Sequence, residues 1–560
     1  MGGEQGAGAC VGGAVERGTQ GQGGANGRDE AAITSDLQHS SHRAGGPRVV
    51  TCMQAPPGIP SLVGRVKNEP IGAALLSLVS DSGVYLAGGV LVGIGNIILI
   101  PLYTRYLALR EFGVYALIDV LVLLVVTVSC LKMDVSYLKS FADLDASRHG
   151  ELLGSTLLIG LLTSAVSGLA IALFTASRLG GLTLHTPVRT YAWLLLPIVV
   201  LETPQALLLT DLRARRKSTW YSVAALVRVV GMTAASYYWM SIEQKGLWGL
   251  FLGRLAGDAV SVAFLAAICL RPVVWRFSRS LLGPMLRFGA PLIGSVFAVM
   301  VQDMSGRYFL TRYGTLEQVG LLGAAIKIGA VFQMAVSVPF GVAWGGILFQ
   351  IVKKPDAQVI YSKIFGYVYV LALAVALLVA IWGSTLFHIF TAPAYYSATI
   401  VLPLVLLVRA VSVIEQPAAV GVYLAGRTDL LALGYIAALG VNLVLLRLLV
   451  PHFGLLGVGY AWLLGSAITP VLFLIIGQRW YRLSLRPKLL VAPVLLWICV
   501  YMLRSEADLY WPGHALLLQA ALSVFVLCVA GMLLSFDFYE LHRELRARPA
   551  STTILEVSSQ

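Results

Sequence analysis

Residues 361–387 read YSKIFGYVYVLALAVALLVAIWGSTLF, an apolar run in which Lys363 is the single charged side chain. A helix needs about 20 mainly apolar residues to cross the ~30 Å hydrocarbon layer of a bilayer. This run is long enough to do so, and it therefore predicts a transmembrane helix.

Similar runs follow one another on both sides of it, from about residue 77 to residue 535. They predict an all-α, polytopic membrane protein with about fourteen transmembrane helices. The predicted spans are 77–103, 112–133, 151–175, 191–212, 219–241, 246–270, 284–310, 317–343, 361–387, 398–425, 430–450, 455–478, 488–504 and 513–535.

The composition excludes a water-soluble protein. Hydrophobic residues make up 58% of the chain and charged residues 12%, whereas soluble domains carry about twice that charged fraction. The net charge of +13 does not indicate a nucleic-acid partner, because most of the basic residues lie in short links between the apolar runs. Cysteines and histidines show no metal-ligand spacing, so we predict no metal and no cofactor.

Both ends of the chain differ from this pattern. Residues 1–60 are rich in Gly and Gln, with few large apolar residues, and they predict a disordered tail. Met53 is an alternative start of translation. If translation starts there, most of this tail is not made. Residues 536–560 are predicted to be a cytoplasmic tail.

Lys and Arg are concentrated in alternate links between the predicted spans. The rich links carry Arg213, Arg215, Arg216 and Lys217, then Arg271, Arg276, Arg279 and Arg287, then Lys353, Lys354 and Lys363, and finally Arg479, Arg482, Arg486 and Lys488. Basic residues stay on the cytoplasmic side of a membrane. Both termini are therefore predicted to be cytoplasmic, as an even number of spans requires.

The chain also contains an internal repeat. Thr104-Arg105-Tyr106 is followed by Leu109 and Gly113, and Thr311-Arg312-Tyr313 is followed at the same spacing by Leu316 and Gly320. Each copy falls between the first and second span of its half, on the external side. The two halves therefore have the same orientation, an arrangement found in transporters whose substrate binds between the halves.

Three stretches resemble the polysaccharide biosynthesis and export proteins, O-antigen flippases among them, of the multidrug/oligosaccharidyl-lipid/polysaccharide exporter superfamily. They are NLVLLRLLVPHFGLLGVGYA at 442–461, YLALREFGVYA at 106–116 and FGAPL at 288–292. The resemblance covers residues 75–480. Leu446 and Arg447 depart from it, because the family usually has a second Asn and an apolar residue there.

The resemblance implies two pseudo-symmetric six-helix bundles, at 75–270 and 284–480, with two extra helices at 488–535. It also implies alternating access in a bacterial inner membrane, with an undecaprenyl-diphosphate-linked oligosaccharide as cargo. Polysaccharide polymerases are the implied protein partners. The sequence does not specify an oligomeric state.

Charged side chains deep in a membrane are costly, and each is therefore a candidate functional residue. Counting from the span ends places Arg228, Arg254, Lys327 and Arg409 near the middle of four different spans. Because guanidinium and ammonium groups bind phosphate oxygens, we predict that these four cations line a cavity for the diphosphate.

Acidic residues in the spans have two open interpretations, ion coupling or structural pairing. Glu202 has Arg228 as a potential partner, and Asp258 lies four residues after Arg254 on one helix face. Asp303 stands in the same relation to Arg307, although both lie nearer the external side. The fourth candidate, Glu415, lies two residues before Pro417.

Three other functions remain as alternatives. A polysaccharide polymerase or ligase would carry a long external loop, whereas no predicted external link exceeds about 16 residues; we therefore predict no enzyme and no catalytic residue. A drug/cation antiporter of the same superfamily would be expected to need acidic cavity residues, whereas the predicted midplane is mainly basic. A lipid-II-type flippase for peptidoglycan fits as well.

Overall fold

Helices dominate the part of the chain that the structure, a computed structural model, describes: residues 93, 95, 97–177, 187–352, 357–484, 487–510 and 514–547. No strand occurs within these ranges. The predicted all-α membrane fold is confirmed. Long apolar runs form helices in a bilayer because the lipid offers the backbone no hydrogen-bond partner, so the backbone groups must bond to one another. The predicted tail at 1–60 lies outside the described residues, as does 548–560.

A helical segment at 97–106 precedes the labelled helices. In chain order these are α1 (Leu109–Ser129), α2 (Met133–Asp143), α3 (His149–Ala176), α4 (Ala192–Ala214), α5 (Ser218–Tyr237), α6 (Gly246–Cys269), α7 (Arg279–Tyr313), α8 (Leu316–Phe332), α9 (Val338–Ile351), α10 (Ala357–Ile381), α11 (Gly383–Phe390), α12 (Leu402–Ala418), α13 (Val420–Leu424), α14 (Thr428–Gly477), α15 (Pro487–Tyr510) and α16 (Ala515–Ala547).

Ten segments of the described chain are long and apolar enough to cross a membrane. One of them, Asp429–Gly477, has 49 residues, and Gly454 divides its helix α14 at a non-helical φ of 53° and ψ of −122°. Its two arms correspond to the separate spans predicted at 430–450 and 455–478. The span predicted at 77–103 lies mostly outside the described residues, so the number fourteen remains a prediction.

The short helix α2 was not anticipated. It begins after Leu131 and Lys132, whose φ angles of 47° and 53° are left-handed. Eleven residues are too few to span a bilayer, and the helix includes Asp134, Lys139 and Asp143. It therefore extends α1 beyond the predicted end of that span.

The internal repeat forms a reciprocal contact between α1 and α8. A Cβ placed on Gly113 would lie closer than 3.0 Å to the carbonyl oxygen of Leu316, and one on Gly320 would meet the carbonyl oxygen of Leu109 in the same way. Each would also lie 3.2 Å from the backbone nitrogen of the other glycine. Equivalent residues thus exchange equivalent contacts, as in an interface around a two-fold axis.

A second pair of contacts follows the same symmetry. Gly246 at the start of α6 has a φ of +51°, and Gly454 at the kink of α14 has a φ of +53°. Their added Cβ atoms would lie 3.5 Å from Glu111 and 3.1 Å from Gln318, respectively. The two glycines thus occupy equivalent turns, one in each half. Both have a positive φ, a conformation that disfavours other residues.

A buried hydrophobic cluster connects the halves with the C-terminal helices; it includes Phe112, Phe332 and Val526. α15 and α16 pack against the second half through α10 and α11. Trp497 Nε1 donates to the carbonyl of Leu373 at 3.2 Å, and polar contacts between α11 and α16 reinforce this docking.

The topology yields a first testable prediction. Reporter fusions after Gln244, in the link between α5 and α6, are expected to report the periplasm, because that link is poor in basic residues. Fusions after Ala357, at the start of α10, are expected to report the cytoplasm. The opposite pattern would overturn the predicted cytoplasmic location of both termini.

Candidate functional site

The charged side chains predicted near the middle of the first half form one ion-pair network. Glu202 on α4 accepts from Arg228 Nη2 on α5 at 2.6 Å and from Arg254 Nη2 on α6 at 2.7 Å. Arg228 also donates its Nε to Asp258 Oδ1 at 2.6 Å. Three helices are therefore joined by charges at one level.

Asp119 completes this network, although the sequence had not singled it out. Its Oδ1 accepts from Arg254 Nη1 at 2.8 Å, which brings α1 into contact with α6. The network now contains three carboxylates and two guanidinium groups, so acids outnumber bases there when all are ionised.

One expected pair is absent and another is present. Arg254 and Asp258 lie four residues apart, yet within the described structure Arg254 pairs with Glu202 and Asp119 instead. The expected Glu202–Arg228 pair does form. Partners on neighbouring helices thus prevail over the one on the same helix face.

The side chains of the network differ in their exposure: three are buried and two are partly exposed. The side chains of Glu202, Arg254 and Asp258 are 9%, 8% and 0% exposed. By contrast, the side chains of Asp119 and Arg228 are 40% and 34% exposed. Buried charges need partners, whereas the two exposed members have room to meet a ligand.

Lys327 is the predicted cation of α8, and aromatic rings surround its ammonium group. Nζ lies 5.1 Å from the ring centre of Tyr115 and 5.7 Å from that of Tyr103. It also lies 3.5 Å from the Tyr115 hydroxyl. No described carboxylate lies within ion-pair distance of Lys327, so cation–π attraction replaces a salt bridge.

Two arginines of the second half lack a carboxylate partner among the residues that the structure describes. Arg409 on α12 is half-buried. Arg307 on α7 is buried, and its Nη1 donates to the backbone carbonyl of Asp303 at 2.8 Å, while its Nε has no partner. The sequence had treated Arg307 only as a potential partner of the Asp303 carboxylate, and an unsatisfied buried guanidinium could be recognised only in the structure.

The other predicted acid, Glu415 on α12, lies apart from this network. Its carboxylate accepts a hydrogen bond from the hydroxyl of Tyr435 on α14. Neither Glu415 nor Asp303 forms an ion pair with a described cation within 4.0 Å, and their predicted roles in coupling or pairing stay untested.

Asp119 brings the two groups of charges together. It interacts electrostatically with Arg254 of the first half and with Lys327 and Arg307 of the second half. Arg307 in turn interacts with the carboxylates of Asp303 and Asp119 and is repelled by Arg409. A carboxylate between the halves that is still 40% exposed indicates an open space at this level. Unpaired cations around such a space can bind an anion.

Residues 78–352 match the model of a family described as "Polysaccharide biosynthesis protein". Over these residues the chain is similar to that family. The resemblance noted in the sequence is confirmed. No curated protein matches the chain.

Solved structures of other proteins share the fold of this chain. The lipid II flippase MurJ in an inward closed conformation is 11% identical, with a TM-score of 0.65 over 82% of this chain and 100% of that one. An inward-facing multidrug resistance MATE family transporter of the MOP superfamily is 14% identical, with a TM-score of 0.53 over 71% and 94%. At such identities the likeness concerns the fold alone.

Proposed function

We propose that this protein is a flippase that moves an undecaprenyl-diphosphate-linked oligosaccharide across the bacterial inner membrane by alternating access. The observation that carries the proposal is the set of second-half cations Lys327, Arg409 and Arg307. None of the three has a carboxylate within the 4.0 Å of an ion pair in the described part of the chain, and Lys327 and Arg409 lie within segments that are long and apolar enough to cross a membrane.

An anionic ligand explains such an arrangement. Cations inside a membrane are costly and are normally paired. A flippase must remove water from a diphosphate and replace it with fixed hydrogen-bond donors. Guanidinium groups suit this task because their planar fork binds two phosphate oxygens at once.

The first half contributes differently to the proposed site. Arg228 and Arg254 are already paired with carboxylates, so they reach the diphosphate by exchanging these partners. The contacts of the two arginines would then differ between the empty and the occupied transporter. Only contacts that differ between states can drive a conformational change.

Replacing Lys327 or Arg409 with alanine is expected to abolish flipping while leaving expression and membrane insertion unchanged, because each removes a cation of the anion site. Arg409→Lys is expected to retain part of the activity, since the charge remains but the fork is lost. The measurement is surface polysaccharide in a flippase-null strain, with protein level checked by blotting.

The control is Arg427→Ala, since Arg427 is exposed and pairs with Asp429 at the end of a helix; it should complement fully. Full activity of both Lys327→Ala and Arg409→Ala would refute the anion site. Complementation of a lipid II flippase depletion instead of a polysaccharide flippase deletion would assign the peptidoglycan precursor as cargo. Restored drug efflux alone would assign the antiporter.

A further inference from the structure

The charges between the halves are distributed unevenly. Asp119 lies one helical turn after Tyr115 on α1, and the Tyr115 hydroxyl lies 3.5 Å from Nζ of the second-half cation Lys327. This first-half carboxylate also interacts electrostatically with Lys327 and Arg307. The other two carboxylates of the network, Glu202 and Asp258, are buried against first-half arginines. Asp119 therefore supplies negative charge to the place where the proposed function puts the diphosphate.

Asp119 is also held less firmly than Glu202. One described hydrogen bond, from Arg254 Nη1 to its Oδ1, fixes the side chain. Glu202, in contrast, accepts from both Arg228 and Arg254 and is 9% exposed. A carboxylate with a single partner and 40% exposure can leave that partner at low cost, because water can solvate it.

We propose that Asp119 is a built-in competitor of the anionic ligand. In the empty protein its carboxylate occupies the space among Arg254, Lys327 and Arg307, and an entering diphosphate displaces it. This inference rests on the proposed function and adds how the same site releases its cargo. When the diphosphate moves away, the carboxylate returns to Arg254 and prevents the ligand from rebinding.

Competition makes a prediction that a purely structural role does not. Two anions near the same cations repel each other, so Asp119 weakens binding of the ligand. Asp119→Asn keeps the size of the side chain and removes this repulsion. It is expected to bind farnesyl diphosphate about tenfold more tightly or better and to flip more slowly. If Asp119 merely oriented Arg254, the same variant would bind more weakly.

The test measures binding of farnesyl diphosphate and of inorganic pyrophosphate to the full chain in nanodiscs. The variants are Asp119→Asn, Asp119→Glu and Lys327→Ala, and the control is Glu243→Gln at an exposed surface pair. Asp119→Glu keeps the competing charge and is expected to bind no more tightly than the unmodified protein. Asp119→Ser provides a second neutral variant if the Asn variant does not fold.

The outcomes distinguish the two proposals. Equal or weaker binding by the neutral Asp119 variants, with weaker binding by Lys327→Ala, would overturn the competitor and leave the proposed anion site standing. Unchanged binding by Lys327→Ala, or no binding by the unmodified protein, would overturn the anion site itself. Tighter binding by the neutral Asp119 variants with slower flipping supports both.

Discussion

Gly113→Ala is expected to abolish transport and lower the thermal stability, although the substitution adds a single methyl group. Its Cβ would lie closer than 3.0 Å to the backbone oxygen of Leu316, so α1 and α8 must move apart. Forcing an extra methyl group into a packed contact costs about 1–3 kcal/mol. The two helices belong to different halves, and the change therefore disturbs the surface on which the halves meet. Gly320→Ala should have the same effect through the carbonyl of Leu109.

Gly440→Ala on α14 is the matched control, because an added Cβ there meets nothing within 4 Å. It should keep full transport and melt at or above the temperature of the unmodified protein, since alanine favours a helix over glycine. Complementation and melting temperature in detergent are the measurements. Unmodified values for both Gly113→Ala and Gly320→Ala would show that the close contact is not required.

Arg228→Met is expected to destabilise the protein by about 3–5 kcal/mol, because it removes the partner of a buried carboxylate. Asp258 is 0% exposed and has Arg228 as its ion-pair partner in the described structure, while its Oδ2 has no hydrogen bond. Adding Asp258→Asn in the same chain removes the stranded charge. The double variant should therefore recover most of the stability that the single variant loses.

Lys245→Met provides the comparison at the surface. Lys245 and Glu243 form a pair at 3.4 Å with side chains that are 46% and 40% exposed, and such pairs contribute about 0–1 kcal/mol. The unfolding temperatures of the single Arg228 variant, the double variant and the Lys245 variant are measured by thermal unfolding monitored by size-exclusion chromatography. If Arg228→Met unfolds at the same temperature as Lys245→Met, burial of Asp258 does not depend on this pair.

The helices could be predicted from the sequence because the bilayer leaves the backbone few choices. A long apolar run must become a helix there, and even the division of 430–450 from 455–478 corresponds to the kink at Gly454. The helix Met133–Asp143 could not be predicted in this way, because it is short and carries charged residues. Its structure depends on packing rather than on hydropathy.

The sequence predicts at which level of the membrane the charged residues of the site lie, but not which of them pair with each other. Counting from span ends gave the level of Glu202 and Arg228, which do pair. It could not give the rotation of each helix around its axis. Asp119 was therefore missed, since it is a lone acid in an apolar run with no basic residue one turn away. Its partner Arg254 lies 135 residues further along the chain.

The glycine contact between α1 and α8 also bears on the origin of the molecule. Gly113 and Gly320 occupy corresponding places in the two copies, and each lies against the other's helix. A half-length ancestor inserted in one orientation would make this same contact as a homodimer, with one glycine meeting its own copy across the axis. Gene duplication and fusion would then have preserved an interface that already existed. Each glycine lies against a backbone oxygen of the other copy, so a side chain at either position would force the two helices apart.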